Sequence, residues 1–322
     1  MAAPALRLRH VLCPTDFSEF SELALRHAAA LARATGSDLT VAHVFPYPVP
    51  LGGEVPYFTS QMLGSAARAE QLDNLEVFAR PAEAAGVRVR SVLLEGDPSR
   101  QIARLAEALP ADLLVLGTHG RGGFERFLLG SVTEKLLRRA PCPVLTVCHG
   151  DTPSLERGAP FGRILCATDL RPTTVDVVEY ALSLAEASSA YLTLLHVLEG
   201  PEFERDSPLR FSVPEIRTLR GSLRQDARMR LRLAVPDEVR LQVAVRDLVA
   251  EGRAHEEILR VARQEAAQLI VLGSHGGGAL ERMLFGSTSH HVVREAPCPV
   301  LVVRALASSK AHGGVTKQAM TA

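Results

Sequence analysis

The chain has 322 residues, enough for two domains of ordinary size. Hydrophobic residues make up 47% and charged residues 22%, which excludes a disordered or collagen-like chain. Lysine plus arginine equals aspartate plus glutamate at 36 each, so the sequence lacks the basic surplus expected of a nucleic-acid-binding protein.

The sequence carries no membrane or secretory signal. No run approaches the roughly 18 apolar residues of a membrane-spanning helix. The first residues also lack the basic, apolar and cleavage-site pattern of a secretory leader. We therefore expect a cytoplasmic protein that does not act on membranes. The five cysteines are an odd number without the spacing of a zinc site, so we expect reduced and mostly buried thiols.

Short apolar runs alternate with amphipathic segments along the first half of the chain. Strands are predicted at 10–14, 39–45, 87–94, 112–116 and 143–148, and helices at 18–36, 60–85, 98–109 and 131–140. Strands that are mostly apolar are typical of a sheet covered on both faces. Five strands alternating with four helices predict an α/β fold with a doubly wound, five-stranded parallel sheet.

The second half of the chain repeats the first. The stretch LCPTD at Leu12–Asp16 matches LCATD at Leu165–Asp169, and ADLLVLG at Ala111–Gly117 matches AQLIVLG at Ala267–Gly273. A period of about 150 residues indicates a duplicated domain, because the repeats of a solenoid run about 20–50 residues. We predict three segments: a first domain over 1–150, a second over 160–305, and a disordered tail over 306–322.

A glycine motif follows the fourth strand of each copy. Gly117–Gly120 is followed after nine residues by Gly130–Ser131, which opens a helix, and Gly273–Ser287 repeats this spacing. Glycines at the carboxyl end of a strand let backbone N–H groups approach phosphate oxygens, and the positive end of the next helix adds attraction. Ligands of open α/β sheets bind where the strand order reverses, so Asp16 and Asp169 should face this loop. Each could hold a ribose hydroxyl or, through water, a Mg²⁺ ion.

The pattern G-x2-G-x9-G-[ST], with P-T-D in the first strand and P-C-P-V-L at the fifth, resembles the universal stress protein family in its tandem two-domain form. The resemblance covers residues 9–148 and 162–304. It implies an adenine-nucleotide α-hydrolase-like fold with strand order 3-2-1-4-5 in each copy, and ATP bound between strands one and four. The Walker pattern GxxxxGK[ST] and the dinucleotide pattern GxGxxG are both absent from the sequence.

The resemblance implies one ATP site in each copy, built from strand ends and the start of a helix. In the first copy the implied residues are Pro14, Thr15, Asp16, Val44, Gly117, His119, Gly120, Gly130, Ser131, Val132 and Thr133. In the second copy they are Ala167, Thr168, Asp169, Val197, Gly273, His275, Gly276, Gly286, Ser287, Thr288 and Ser289. The first three residues of each set would contact the base and the ribose. The backbone of the valine would contact the adenine, and the other residues would contact the ribose and the phosphates.

Two positions depart from the family pattern. Members often carry arginine where His119 and His275 stand, so a permanent cation is replaced by a group that is mostly neutral near pH 7. The second copy also has Ala167 in place of the first-strand proline.

The helix that follows the glycine motif has a structural interpretation as well. Ser131 and Glu134 fit a capping box, in which the serine hydroxyl is occupied by its own helix. The second copy has His290 at the position of Glu134, so its hydroxyls face no nearby carboxylate. We therefore expect tighter phosphate binding in the second domain.

Other candidate residues also have structural alternatives. Asp16 and Asp169 could cap the first helix of each copy instead of binding a ligand. His43 and His196, with the histidines of the glycine motifs, could form metal sites. No carboxylate or thiol spacing completes a coordination shell, so we favour hydrogen-bonded core histidines.

Three functions from different classes remain open. The favoured one is an ATP-binding protein of the stress response that acts through nucleotide-dependent conformation or partner binding. Hydrolysis should be slow or absent because the motif offers no evident general base. The second is a related nucleotide-processing enzyme that transfers AMP or hydrolyses ATP, which would need a second substrate pocket. The third is an interaction protein with empty nucleotide sites.

The fifth strands predict how the two copies meet. The apolar runs at 143–147 and 299–303 lie at the edge of the implied strand order, where an uncovered edge invites pairing. In single-domain relatives this edge forms the homodimer contact, so the resemblance implies that the covalent copies pair around a pseudo-twofold axis. Whether the whole chain is a monomer or a homodimer through another surface is left open.

Overall fold

The structure is a computed structural model that describes residues 8–45, 57–118, 129–148, 161–171, 175–199, 213–274 and 286–304. Four candidate residues lie outside the described residues: His119, Gly120, His275 and Gly276. The tail predicted over 306–322 also lies outside them.

Strands and helices alternate through the first repeat. Its elements are β1 (His10–Thr15), α1 (Glu19–Thr35), β2 (Asp38–Phe45), α2 (Tyr57–Ala84), β3 (Val89–Glu95), α3 (Pro98–Ala108), β4 (Leu113–Gly117), α4 (Ser131–Arg139) and β5 (Val144–Val147). The sequence patterns predicted each of these elements to within three residues at either end.

The second repeat follows the same order with one additional short helix. Its elements are β6 (Arg163–Ala167), α5 (Val175–Ser188), β7 (Tyr191–Leu198), α6 (Val213–Leu233), α7 (Asp237–Arg240), β8 (Val245–Glu251), α8 (Ala254–Gln264), β9 (Leu269–Gly273), α9 (Ser287–Glu295) and β10 (Val300–Val303). In the described part of the chain, no helix is long and apolar enough to cross a membrane.

The strands form one sheet with the order β3-β2-β1-β4-β5-β10-β9-β6-β7-β8. Neighbouring strands are parallel within each repeat, so the predicted α/β fold with parallel sheets is confirmed. At the centre β5 and β10 lie antiparallel, with Leu145 opposite Leu301 and Thr146 opposite Val300. The Thr146 hydroxyl also donates to the carbonyl oxygen of Val300 at 3.2 Å.

The sheet has an apolar core on each face, as strands that are apolar throughout predict. One core includes Ala28 of α1 and Leu75 of α2, and it continues under α5 and α6. The other includes Ile102 of α3 and Leu136 of α4, and it continues under α8 and α9. The helices therefore cover both faces and leave the carboxyl ends of the strands for a ligand.

Helix α1 shows how local sequence fixes these elements. Ser18 is its N-cap and accepts a hydrogen bond from the backbone N–H of Ser21, while the Ser21 side chain bonds back to the Ser18 backbone. Gly36 ends the helix in the left-handed region at φ 69°, which glycine adopts without steric cost. Ala24 is fully buried, so α1 packs close to the sheet.

An apolar contact region, which we call the central junction, joins the repeats beside the β5–β10 pair. Its residues occupy equivalent places in the two repeats: Leu8 and Phe161, Leu31 and Leu184, Leu113 and Leu269, and Leu145 and Leu301. His27 occupies the place of Tyr180, and its ring stacks on that of Phe161 with centroids 6.4 Å apart. The enclosed volume is only about 10 Å³, so the junction is closely packed.

The cysteines are free thiols, and four of the five are buried. Burial raises the pKa of Cys13, Cys142 and Cys166 to about 12. These thiols stay protonated at neutral pH and are poor nucleophiles. The prediction of mostly buried cysteines is confirmed.

Candidate functional site

A cleft opens at the carboxyl end of the sheet in the second repeat, where β6 and β9 are neighbours. Its volume is about 770 Å³, and ligand cavities in proteins span roughly 300–1,000 Å³. Its lining includes every described candidate residue of this repeat: Ala167, Thr168, Asp169, Val197, Gly273, Gly286, Ser287, Thr288 and Ser289. The structure therefore brings these sequence-predicted residues together at one place.

The candidate residues of the first repeat occupy the equivalent strand and helix ends. Pro14 and Thr15 end β1, Val44 lies near the end of β2, and Gly117 ends β4. The others follow β1 or begin α4: Asp16, Gly130, Ser131, Val132 and Thr133. Because β1 pairs with both β2 and β4, these residues share one end of the sheet.

A strained turn follows the first strand of each repeat. Phe17 and Leu170 have positive φ angles of 63° and 58°, which residues other than glycine seldom adopt. The Thr15 hydroxyl accepts a hydrogen bond from the Phe17 N–H at 2.9 Å, and Thr168 does the same for Leu170 at 3.1 Å. The threonine side chains thus stabilise the turn that carries the candidate aspartate.

The two candidate aspartates have different partners. Asp16 Oδ1 accepts hydrogen bonds from the Ser18 N–H at 3.1 Å, the Ser18 hydroxyl at 2.6 Å and the Ser21 hydroxyl. It therefore stabilises the start of α1, although the N-cap itself is Ser18. Asp169 lines the cleft, accepts from the Arg171 N–H at 3.1 Å and lies 3.6 Å from the Arg171 guanidinium. Of the two aspartates, Asp169 is the one that lines the cleft described above.

The histidines of the second strands are held by backbone carbonyls. His43 Nδ1 lies 2.7 Å from the Thr15 carbonyl oxygen, and His196 Nδ1 lies 2.8 Å from that of Thr168. Both rings are half-buried. Among the described residues, no group of three histidine, cysteine, aspartate or glutamate side chains could hold a metal ion. The hydrogen bonds agree with the interpretation as hydrogen-bonded histidines, but the rings are not in the core, and His196 lines the cleft.

Helices α4 and α9 both start at a glycine N-cap. Gly130 is the N-cap of α4 and its carbonyl accepts from the Glu134 N–H at 2.9 Å, so Ser131 is the first helical residue. No side chain caps this helix, and the capping-box prediction for Ser131 and Glu134 is wrong. Glu134 instead pairs with Arg138 at 2.7 Å. Without the capping box, one reason remains to expect tighter phosphate binding in the second repeat: this repeat has His290 where the first repeat has the negative charge of Glu134.

Hydroxyl groups tie each helix start to the preceding strand. Thr133 Oγ1 donates to the Gly117 carbonyl at 2.9 Å, and Ser289 Oγ donates to the Gly273 carbonyl at 2.9 Å. These hydroxyls hold the helix in place. The N–H groups of the first turn have no intrahelical acceptor and remain as donors for an anion. The positive end of the helix dipole adds to the attraction.

Gly117 has a packing role in addition to its place at the site. A Cβ atom added there would lie 2.8 Å from Phe20 Cβ and 2.9 Å from the Phe20 carbonyl oxygen, which is closer than real side chains come. The close approach of α1 to β4 therefore needs a glycine at this position, whether or not a nucleotide is bound.

We expect Gly117→Ala to destabilise the protein by roughly 1–3 kcal/mol, because the backbone at Phe20 must shift to accept the methyl group. Urea denaturation followed by circular dichroism measures this change. Gly221→Ala is the matched control, since a Cβ at this position in α6 meets no atom within 4 Å and alanine favours a helix. Equal unfolding free energies for Gly117→Ala and the parent would contradict the packing role.

Several residues that line the cleft were not predicted from the sequence. Ala254 and Ile258 come from α8, and Glu199 accepts from the Ala254 N–H at 2.7 Å. The lining also includes charged or titratable side chains: Arg138, Arg171, His290 and His291. Arg138 lies on α4, and His290 and His291 lie on α9; no motif in the sequence encodes the relative placement of these two helices.

The comparisons with known proteins agree with the fold and the glycine motifs. The profile of the Universal stress protein family matches residues 7–147 and again residues 160–304. Universal stress protein Rv2005c of Mycobacterium tuberculosis is 31% identical over 301 residues, which cover 91% of this chain and 96% of that protein. Universal stress protein MJ0531 of Methanocaldococcus jannaschii is 34% identical over 139 residues, 43% of this chain and 81% of that protein.

A solved structure is similar in fold along nearly the whole chain. The crystal structure of a universal stress protein from Archaeoglobus fulgidus DSM 4304 covers 93% of this chain and 97% of its own, with a TM-score of 0.63 and 25% identity. The family profile matches both repeats, and the chain therefore belongs to the universal stress protein family, with two copies of the family domain in tandem.

Proposed function

We propose that the protein binds ATP at the carboxyl ends of its strands and acts in the stress response through nucleotide-dependent conformation or partner binding. One observation carries the proposal: all described residues that the family resemblance implies for the second repeat line a single cleft of about 770 Å³. The corresponding residues of the first repeat lie at the equivalent strand ends. Both repeats are proposed as ATP sites.

The chemistry of the cleft suits the two ends of a nucleotide. Apolar side chains such as Ala167 and Val197 lie at the ends of β6 and β7, where they would face an adenine ring. The first turn of α9, from Ser287, presents backbone donors and the positive end of a helix dipole, which attract phosphates. Asp169 lies on the β6 side, where it would meet the ribose.

Mg²⁺ is proposed as a companion of the nucleotide and not as a resident ion. The carboxylates of the cleft are Asp169, beside Arg171, and Glu199, which accepts from the Ala254 N–H. Mg²⁺ in proteins is commonly held by one or two carboxylates together with water and phosphate oxygens. These residues fit such an ion once phosphates are present, with Asp169 acting through water.

Hydrolysis is proposed to be slow or absent. Asp169 is engaged by the backbone and side chain of Arg171, so it is poorly placed to activate a water molecule. The Ser289 hydroxyl is committed to the Gly273 carbonyl. We also propose that the protein acts in the cytoplasm and that residues 1–150 and 160–305 form its two domains. In this proposal the β5–β10 contact takes the place of a homodimer contact.

The direct test adds a negative charge where phosphates are proposed to bind. Ser287→Asp changes the first residue of α9, and we expect it to weaken ATP binding at the second site roughly tenfold or more, the scale of a lost charge-assisted contact. Ser131→Asp is the equivalent change at the first site. Aspartate in the first turn favours a helix, so both variants should fold. Isothermal titration calorimetry with ATP and with adenosine measures the effect.

Ser287→Ala is the matched comparison: it removes the hydroxyl without adding charge, so it should weaken ATP binding less than Ser287→Asp does. Adenosine binding should change little in both variants. A parent protein that gives no binding heat with ATP, or a double Ser131→Asp, Ser287→Asp variant that binds ATP like the parent, would refute the proposed site.

A further inference from the structure

One residue of the first repeat lines the second repeat's cleft. Arg138, near the end of α4, lines the cavity together with Ser287, Thr288 and His290 from the start of α9. Among the described residues that line the cleft, Arg138 alone comes from the first repeat. The cleft is therefore completed across the boundary between the repeats.

The pairing of β5 with β10 places Arg138 there. Helix α4 precedes β5 and α9 precedes β10, so the antiparallel contact of these strands sets the end of α4 beside the start of α9. Two hydrogen bonds tie the neighbouring segments: Arg304 Nη1 donates to the Ala140 carbonyl at 3.2 Å, and the Cys148 thiol donates to the Ala296 carbonyl at 3.5 Å. The position of Arg138 is thus set by ordered contacts between the repeats.

The charges that act on His290 come from both repeats. Burial lowers the pKa of His290, so this ring is mostly neutral at pH 7. Glu134 of α4 acts to raise that pKa, whereas Arg294, His291 and Arg138 act to lower it. Charged groups of α4 as well as of α9 therefore act on this residue of the cleft lining.

Arg138 is held in place by an ion pair that a phosphate could join or replace. Its Nη2 atom lies 2.7 Å from Glu134 Oε1, one helical turn away, and both side chains are 38% exposed. An exposed pair of this kind contributes little to stability. The guanidinium presents five donors in a planar fork, so it can bind a phosphate while it keeps contact with the carboxylate.

The equivalent arginine of the second repeat has different surroundings. Arg294 has His290 one turn back where Arg138 has Glu134, and its Nη2 donates to Glu295 at 2.8 Å. Its Nε atom is buried and has no hydrogen-bond partner among the described residues. The two repeats therefore present different charges to each other.

We infer that Arg138 binds the phosphates of a nucleotide held in the second repeat, so that the first repeat supplies a cation to the second repeat's site. The inference rests on the proposed function and adds to that site a residue from outside the repeat that builds it. The glycine motif of the second repeat carries His275, which is mostly neutral near pH 7 in its ordinary state. Arg138 would provide the permanent positive charge that this motif lacks.

The test uses the full chain with the first site blocked by Ser131→Asp. On this background, Arg138→Ala is compared with Arg139→Ala, which removes the same charge from the same end of α4. Arg139 is exposed and is not among the described residues that line the cleft. Calorimetry with ATP and with adenosine separates phosphate contacts from base and ribose contacts, and thermal unfolding checks that each variant is folded.

We expect Arg138→Ala to weaken ATP binding roughly tenfold, the scale of one hydrogen-bonded charge contact, with adenosine binding unchanged. Arg139→Ala should bind both ligands like the background, and Arg138→Lys should recover part of the ATP affinity. Equal ATP affinities in the two alanine variants would overturn the inference and leave the proposed function standing. An equal loss of ATP and adenosine binding in Arg138→Ala would also overturn it. A parent that binds neither ligand would refute the proposed function itself.

Discussion

Replacing Phe161 by alanine is expected to lower the free energy of unfolding by about 3–5 kcal/mol, the range for truncating a large buried aromatic side chain. Phe161 is 2% exposed and lines the central junction with Leu8, Leu145 and Leu301. The junction has almost no spare volume, so neighbouring side chains from both repeats cannot readily collapse into the space left by the ring. The loss should therefore lie well above the effect of an average substitution.

Guanidinium denaturation of the parent and variant, followed by circular dichroism, measures this loss. Leu233→Ala is the control, because this leucine of α6 is 74% exposed and its truncation should change stability by less than about 0.5 kcal/mol. The loss of unfolding free energy in Phe161→Leu should lie between the losses in Phe161→Ala and Leu233→Ala. If Phe161→Ala were as stable as Leu233→Ala, the central junction would not hold the repeats together.

The fold could be predicted because the sequence patterns within each half agree with each other and with the repeat between the halves. Apolar runs and helical patterns alternate in both halves, and the repeat makes each prediction twice. The candidate site was predictable for a related reason, since Gly117, Gly130 and their counterparts follow strands whose ends must meet in a parallel sheet. Helix ends were less predictable: Ser131 fits a capping box by sequence, yet the helix begins one residue earlier than that motif requires, with Gly130 as its N-cap.

Residues brought together by the contact between repeats could not be assigned from motifs. Arg138 reaches the second cleft only because β5 and β10 pair and set α4 beside α9. Phe161 follows directly after the segment between the repeats and carries no periodic signal, although it is among the largest fully buried side chains. Finding either residue requires the relative placement of the two repeats, and sequence periodicity gives only the structure within each one.

The pH dependence of stability provides the other large expected effect, and it arises at the same junction. His27 is 3% exposed, its Nε2 atom has no hydrogen-bond partner among the described residues, and burial lowers its pKa to about 4. An unfolded chain restores the ordinary pKa of about 6.5. Because the folded pKa lies below the unfolded one, the unfolded state takes up the proton first as the pH falls.

The contribution of His27 to stability is therefore fully present above pH 6.5 and is lost as the pH falls towards 4. With 1.36 kcal/mol for each unit of pKa difference, the free energy of unfolding should fall by roughly 3 kcal/mol over this range from His27 alone. Urea denaturation at pH 7, 6, 5 and 4 measures it. Other ionisable groups of the protein also respond to pH, so the parent has to be compared with a variant that lacks only this group.

His27→Leu is that variant, because leucine fills much of the space of the ring and does not titrate. The difference in unfolding free energy between the two proteins should be constant above pH 6.5 and should shift in favour of the leucine variant by roughly 3 kcal/mol at pH 4. Parallel pH profiles would mean that the imidazolium is accommodated beside Phe161 at no cost. That result would require water or a counter-charge beside the ring, next to a junction whose free volume of about 10 Å³ is close to the minimum for one water molecule.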